Sequence, residues 1–213
     1  LMGRITIDDI VDVMQEEAEE DIQRMAGLAD EEELRETSVV KIARARIPWL
    51  FTGLMGGLIS ATVLSSYSHS LEKVLSLAFF VPVITAMGGN VGIQSSAIVV
   101  RGLATGEIDF KDIFKRLLKE LRIALMNGLF LGSIIFAVVR IGWHERVGIA
   151  LLVGGALLTV IFVASIIGTT VPLVLKKLNI DPALATGPFI TTSNDIVGLF
   201  IYLALATQFL GKL

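Results

Sequence analysis

The 213-residue chain has no cysteine and only two histidines, His69 and His144. The first absence excludes structural disulfides, thiolate metal centres and cysteine nucleophiles. Both histidines fall in short polar connections between apolar runs, which argues against a zinc or copper centre. Charge is also missing from long stretches. Five runs are free of Asp, Glu, Lys and Arg or nearly so: 47–71, 74–100, 123–139, 147–175 and 182–211. The opening residues lack the basic segment and apolar core of a signal peptide. The start at Leu1-Met2-Gly3-Arg4 reads as a cut through a longer protein.

What is present is apolar: 54% of the residues are hydrophobic and the mean hydropathy is +0.75. A soluble domain is about 45 to 50% apolar, so this is an integral membrane protein with a soluble appendage. A helix crosses the hydrocarbon core with about 20 apolar residues, and each run is long enough. The expected fold is therefore all-α, with five transmembrane helices at about 47–70, 73–101, 118–140, 147–176 and 182–211, preceded by an acidic cytoplasmic helix. The third begins in an amphipathic run, 110–122, whose apolar positions recur at helical spacing.

The formal net charge of −3 conceals a division. Residues 1–36 carry thirteen acids against Arg4, Arg24 and Arg35, whereas the remaining 177 carry fifteen Lys or Arg against eight acids. Eleven of those fifteen flank one side of the expected spans, and only Lys73, Arg140, Arg146 and Lys212 flank the other. Short cytoplasmic loops hold the excess of Lys and Arg, which puts the N-terminus in the cytoplasm and the C-terminus outside. Trp49 and Trp143 lie near span ends, as interfacial aromatics do. Most of the many glycines in the spans read as points of close helix approach.

Two segments carry chemistry. In the second span, Pro82-Val83-Ile84-Thr85-Ala86-Met87-Gly88-Gly89-Asn90-Val91-Gly92-Ile93-Gln94 combines a proline with glycines and side-chain amides. Proline removes a donor and glycine weakens the helix, which a membrane tolerates against protein or a water-filled cavity. The segment is expected to line a pore, with Asn90 and Gln94 on one face and Gly88 and Gly89 exposing backbone.

In the fifth span, Pro188 precedes Thr191, Thr192, Asn194, Asp195 and Gly198, and Asp195 is the only charged side chain from Pro182 to Gly211. Lying thirteen residues beyond Pro182, it is expected about 20 Å along the helix axis. An acid at that depth marks a functional site by default. No charge-free run contains a Lys, Arg or second carboxylate to pair with it. A bound cation is the candidate counter-charge, and oxygen ligands without sulfur or imidazole favour Mg²⁺, Ca²⁺ or Mn²⁺. Mg²⁺ keeps several waters, which suits one carboxylate per chain.

These segments, 82–94 and 181–195, resemble the signature stretches of the MgtE family of bacterial magnesium channels. Residues 3–13 look like the last strand and helix of a cystathionine-synthase-type (CBS) domain, and 16–22 are similar to the start of that family's connecting plug helix. The resemblance implies a homodimer in the bacterial inner membrane, with a CBS remnant at 1–14, a plug helix at 15–44 and a permeation domain at 45–213. It implies Mg²⁺ as cargo and regulatory ligand, with Mn²⁺, Co²⁺ or Ca²⁺ as weaker substitutes. Asp195 would be the principal pore acid, and Asp9, Asp12, Glu20 and Asp21 match acidic positions of the sensor. The N-terminal and CBS sensor domains of the full-length family would be missing partners, so gating by Mg²⁺ is expected to be weak or lost. Membrane lipid and a second copy are the expected partners, and nucleic acid is not.

A Na⁺- or H⁺-coupled carrier using the same acid is the alternative. An intramembrane enzyme is disfavoured, because the sequence offers Asp195 no second intramembrane carboxylate and no spanning His, Lys or Cys as a partner. A scaffold that dimerises through its glycines is the remaining reading, and it predicts that Asp195→Asn leaves Mg²⁺-dependent growth intact.

Overall fold

The computed structural model of the chain describes residues 6–14, 16, 38–108 and 113–211. Every regular element among them is helical. Residues 7–14 form a short helix, α1. Five helices are long and apolar enough to cross a membrane: α2 (Val39–Ser66), α4 (Ser76–Ala104), α5 (Ile113–Ala137, continued by a π-turn to Gly142), α6 (Val147–Lys177) and α7 (Pro188–Leu210). A short helix, α3 (Ser68–Lys73), joins α2 to α4. The protein is thus a multi-pass membrane protein with the expected number of spans.

Residues 44 and 45 both lie within α2, so a single helix runs through the junction expected between connecting helix and permeation domain. The larger departure is at the last span. Residues 182–185 form a separate 3₁₀ turn, and α7 begins only at Pro188. The cause is local chemistry. Asp181 accepts a hydrogen bond from the Ala183 amide at 2.9 Å, the Thr186 hydroxyl donates to the Ala183 carbonyl at 2.6 Å, and Gly187 turns the chain at φ 71°. A positive φ suits glycine, and proline at the first helical position then fixes the new start.

α6 is the hub of the bundle, packed against α4, α5 and α7. Its Val153, Val160 and Ile161 are fully or almost fully buried, and so are Leu77 and Ile84 of α4 and Tyr202 and Leu203 of α7. Small residues set how close the backbones come. A Cβ added at Gly154 would lie 2.8 Å from the Gly132 carbonyl oxygen, and one at Gly132 would lie 2.9 Å from that of Gly154, so α5 and α6 touch backbone to backbone. Buried polar groups tie the bundle elsewhere: the Tyr202 hydroxyl donates to the Leu77 carbonyl at 2.8 Å, and Ser70 pairs with Thr207 at 2.8 Å. The Trp143 ring meets Phe80 edge-on at 5.3 Å while half of its surface stays exposed, as at a membrane boundary.

α2 is the exception, because it leans on α7 and buries little beyond Gly56. Its Leu50, Phe51, Leu54 and Leu58 remain exposed.

Candidate ion site at the contact of α4 and α7

Where α4 crosses α7, the sequence supplies glycines on one helix and oxygen-bearing side chains on the other. Gly89 of α4 faces Thr191 and Asp195 of α7. A Cβ on Gly89 would sit 3.3 Å from Thr191 Cγ2 and 3.6 Å from Asp195 Oδ1. Thr191 and Asp195 are four residues apart and share a face. The Thr191 hydroxyl donates back to the Gly187 carbonyl at 2.9 Å, so its lone pairs remain available to accept. Asp195 itself is partly exposed and makes no hydrogen bond or ion pair among the described residues.

Because α7 starts at Pro188, Asp195 lies seven residues into it, about 10 Å along the axis rather than the 20 Å expected from Pro182. The carboxylate is two turns from the break at Gly187.

α4 is a continuous helix through Pro82, Gly88, Gly89 and Gly92. The Gly88 and Gly89 carbonyls are therefore engaged in the helix's own ladder, and exposed backbone is not what these glycines provide. A Cβ added at Gly88 would lie 3.1 Å from Val160 Cγ1 of α6 and close to Asn194, whereas Gly92 accommodates Asn194 and Ile190. They permit helix approach. The other face of α4 lies open: Pro82, Ala86, Asn90 and Gln94 are all exposed, with the two amides one turn apart.

The remaining α7 residues are distributed around the helix. Thr192 presses its methyl against Gly56 of α2, and a Cβ added at Gly198 would lie 3.1 Å from Val160 Cγ1 of α6. Pro188 occupies the first helical position, half-buried. Asn194 is 2% exposed, wedged against Gly92, and neither amide atom has a hydrogen-bond partner. The structure thus brings Asp195, Thr191 and Gly89 together, places Asn90 and Gln94 on the adjoining open face, and turns Thr192, Asn194 and Gly198 into helix contacts.

At the N-terminus, Asp9 accepts from the Thr6 amide at 2.6 Å and the Thr6 hydroxyl at 2.7 Å, and these bonds hold its carboxyl below the usual carboxylate range. Its observed task is to cap α1. Asp12 is exposed, and Glu20 and Asp21 lie outside the described residues. No group of three or more His, Cys, Asp or Glu side chains converges among the described residues.

One expectation is corrected here: Asp195 is not the only carboxylate inside the bundle. Glu120 of α5 is 4% exposed. It binds Arg116 Nη2 at 2.6 Å and accepts from the Ser95 hydroxyl of α4 at 3.3 Å, and Ser95 also reaches Ser165 of α6 at 3.4 Å. The legible signal was the spacing of Arg116 and Glu120, four apart on an amphipathic helix. Their neighbours on α4 and α6 were not legible.

Five apolar helices, with a carboxylate that lacks a counter-charge among the described residues beside an open polar face, define a multi-pass membrane protein. The sequence model of the MgtE family, described as divalent cation transporter, matches residues 81–205. The chain belongs to the MgtE family. It is 38% identical over its full length to the magnesium transporter MgtE of Bacillus subtilis, covering 47% of that protein, and 36% identical over 97% of its length to that of Thermus thermophilus, covering 46%. Identity to the magnesium transporter MgtE of Enterococcus faecalis is 37% over 99% of the chain, again 46% of the relative. The chain therefore spans about half the length of these relatives.

Proposed function

We propose that two copies of this chain form a Mg²⁺-selective pore for passive influx across the bacterial inner membrane, with the N-terminus cytoplasmic and the C-terminus outside. The observation that carries this reading is the Asp195 carboxylate, held against Gly89 with no protein counter-charge among the described residues. An intramembrane acid without a partner is stabilised by a cation. The names of the relatives, magnesium transporters, support Mg²⁺ as that cation.

One carboxylate per chain cannot strip the hydration shell of Mg²⁺, which dehydrates reluctantly. In the proposed pore the ion keeps its waters, and Asp195 from each subunit receives hydrogen bonds from them. Asn90 and Gln94, on the open face of α4, supply further acceptors across the dimer axis, and the α4 and α7 faces that remain uncovered in one subunit become the pore wall. Mn²⁺, Co²⁺ and Ca²⁺ are poorer cargo in this arrangement. The chain performs no covalent chemistry on this reading. Mg²⁺ at the acidic N-terminal segment would be regulatory.

The test is Mg²⁺ flux into proteoliposomes carrying the wild type, Asp195→Asn or Asp195→Glu. The proposal expects Asp195→Asn to lower flux about 10- to 100-fold, the range for losing a partner that acts on a metal through its shell, with Asp195→Glu retaining part of it. Wild-type flux in the Asn variant would refute a pore built on this acid. Flux that stops without a Na⁺ or pH gradient would replace the channel by a coupled carrier.

A further inference from the structure

The end of the bundle where α4 finishes near Arg101 and α6 finishes in Lys176 and Lys177 also holds the start of α5. There, Lys115, Lys119 and Arg122 lie at helical spacing on one exposed face of α5. They line a cavity of about 660 Å³ between α5 and the last turns of α4, with Ile98 and Leu118 as its apolar wall. None of the three cations has a hydrogen bond or ion pair among the described residues, whereas Arg116, on the same wall, is held by Glu120. Glu107 is the acid on the lining.

The wall changes character along α5. One to two turns beyond Arg122, the exposed residues become Leu125, Met126 and Leu129. A cationic mouth that passes directly into an exposed apolar track matches a molecule with an anionic head and hydrocarbon tails. A free phosphate or nucleotide would use the first half of this surface and leave the second uncovered. Basic pockets between spanning helices, at the membrane side rich in Lys and Arg, have the chemistry that retains acidic phospholipid headgroups.

We infer that this cavity is a binding site for one anionic phospholipid per chain, its phosphate held by Lys115, Lys119 and Arg122 and its acyl chains lying against Ile98, Leu118 and the apolar continuation of α5. The long stems of the cations let them reach the phosphate while their methylenes pack on Leu118. The headgroup then sits beside the Arg116–Glu120–Ser95 contact that fixes α5 on α4.

Native mass spectrometry of the purified protein in neutral detergent, titrated with phosphatidylglycerol or phosphatidylcholine, tests this. The wild type is expected to retain one phosphatidylglycerol per chain in preference to phosphatidylcholine, and Lys115→Gln/Lys119→Gln/Arg122→Gln to weaken that retention about tenfold or more. Lys176→Gln/Lys177→Gln, at the same membrane end, leaves it unchanged. If the triple variant does not fold, Lys115→Gln/Lys119→Gln gives the same comparison with a smaller loss. Equal retention of the two lipids, equal loss in the Lys176/Lys177 variant, or complete displacement by millimolar inorganic phosphate would each overturn the site.

Discussion

Glu120 and Asp195 are both carboxylates inside an apolar helix bundle, yet their surroundings differ in every respect. Glu120 has an arginine one turn away on its own helix, a serine hydroxyl from α4, and almost no exposure. Asp195 has a glycine opposite, a partly exposed surface and no cation from the protein among the described residues. A buried acid that the fold neutralises ties helices together, and one left without a counter-charge is available to a mobile ion. The same functional group therefore does structural work in α5 and, on the proposal above, transport work in α7.

Breaking the first member of the pair is expected to have the largest effect. Glu120→Ala leaves the Arg116 guanidinium largely buried without its partner, a change that costs about 3 kcal/mol of stability. Unfolding in detergent should show it, with little change in flux through the protein that remains folded. Removing both charges in Arg116→Leu/Glu120→Leu should recover most of the loss, since an apolar pair of similar volume avoids the desolvation penalty. A double variant no more stable than Glu120→Ala would mean that the ion pair contributes specific geometry to the contact of α4 and α5.

Asp195→Asn should invert this pattern. The 10- to 100-fold loss of flux expected of it comes with unchanged or slightly raised stability, because a neutral amide removes an uncompensated charge from the helix contact. Parallel melting curves and flux measurements on the two variants separate the two roles. Loss of stability at Asp195 equal to that at Glu120 would erase the distinction.

How far these roles were legible in the sequence follows from the same residues. The count of spans and the place of Asp195 within an apolar helix could be read because charge-free length and an acid interrupting it are properties of the linear chain. The start of α7 could not, since Asp181, Thr186 and Gly187 act through turn hydrogen bonds and a positive φ that compete with the apolar run. Glu120 was misjudged for a related reason. Its partner Ser95 is 25 residues away in sequence and Ser95's own partner Ser165 a further 70, and only the packing of three helices makes the acid interior. The facing of α7 was also hidden: small residues at 191, 192, 194 and 198 looked alike, and the glycines of α2, α4 and the bulk of Val160 decide which of them meets a helix.

Glycines sharpen the contrast between packing and site. A methyl added at Gly168 of α6 would land on the Gly92 carbonyl, which is backbone and cannot give way. Gly168→Ala is therefore expected to cost about 1 to 3 kcal/mol. Gly89→Ala meets only side chains, Thr191 Cγ2 at 3.3 Å and Asp195 Oδ1 at 3.6 Å. It should be milder in stability and should alter flux, because the atoms that must shift belong to the proposed ion site. Tyr202→Phe, which loses the hydroxyl bonded to Leu77, is worth about 1 kcal/mol.

The smallest expected effect concerns a third carboxylate, outside the membrane-spanning helices. Asp9 is fully exposed, and its bonds to the Thr6 amide and hydroxyl require the ionised form as acceptor. Its carboxyl is held below the usual carboxylate range, so the cap contributes fully at any pH above that range and is lost as the pH falls through the lower, folded value. Amide exchange at Thr6, referenced to the intrinsic rate at each pH, should keep its protection at neutral and mildly acidic pH and lose it only at strongly acidic pH. Asp9→Asn should weaken that protection wherever the wild type keeps it, because an amide oxygen accepts the Thr6 bonds without the charge that strengthens them. Protection that disappears instead with the removal of Mg²⁺ at neutral pH would reassign Asp9 from capping α1 to the regulatory metal that the family resemblance implies.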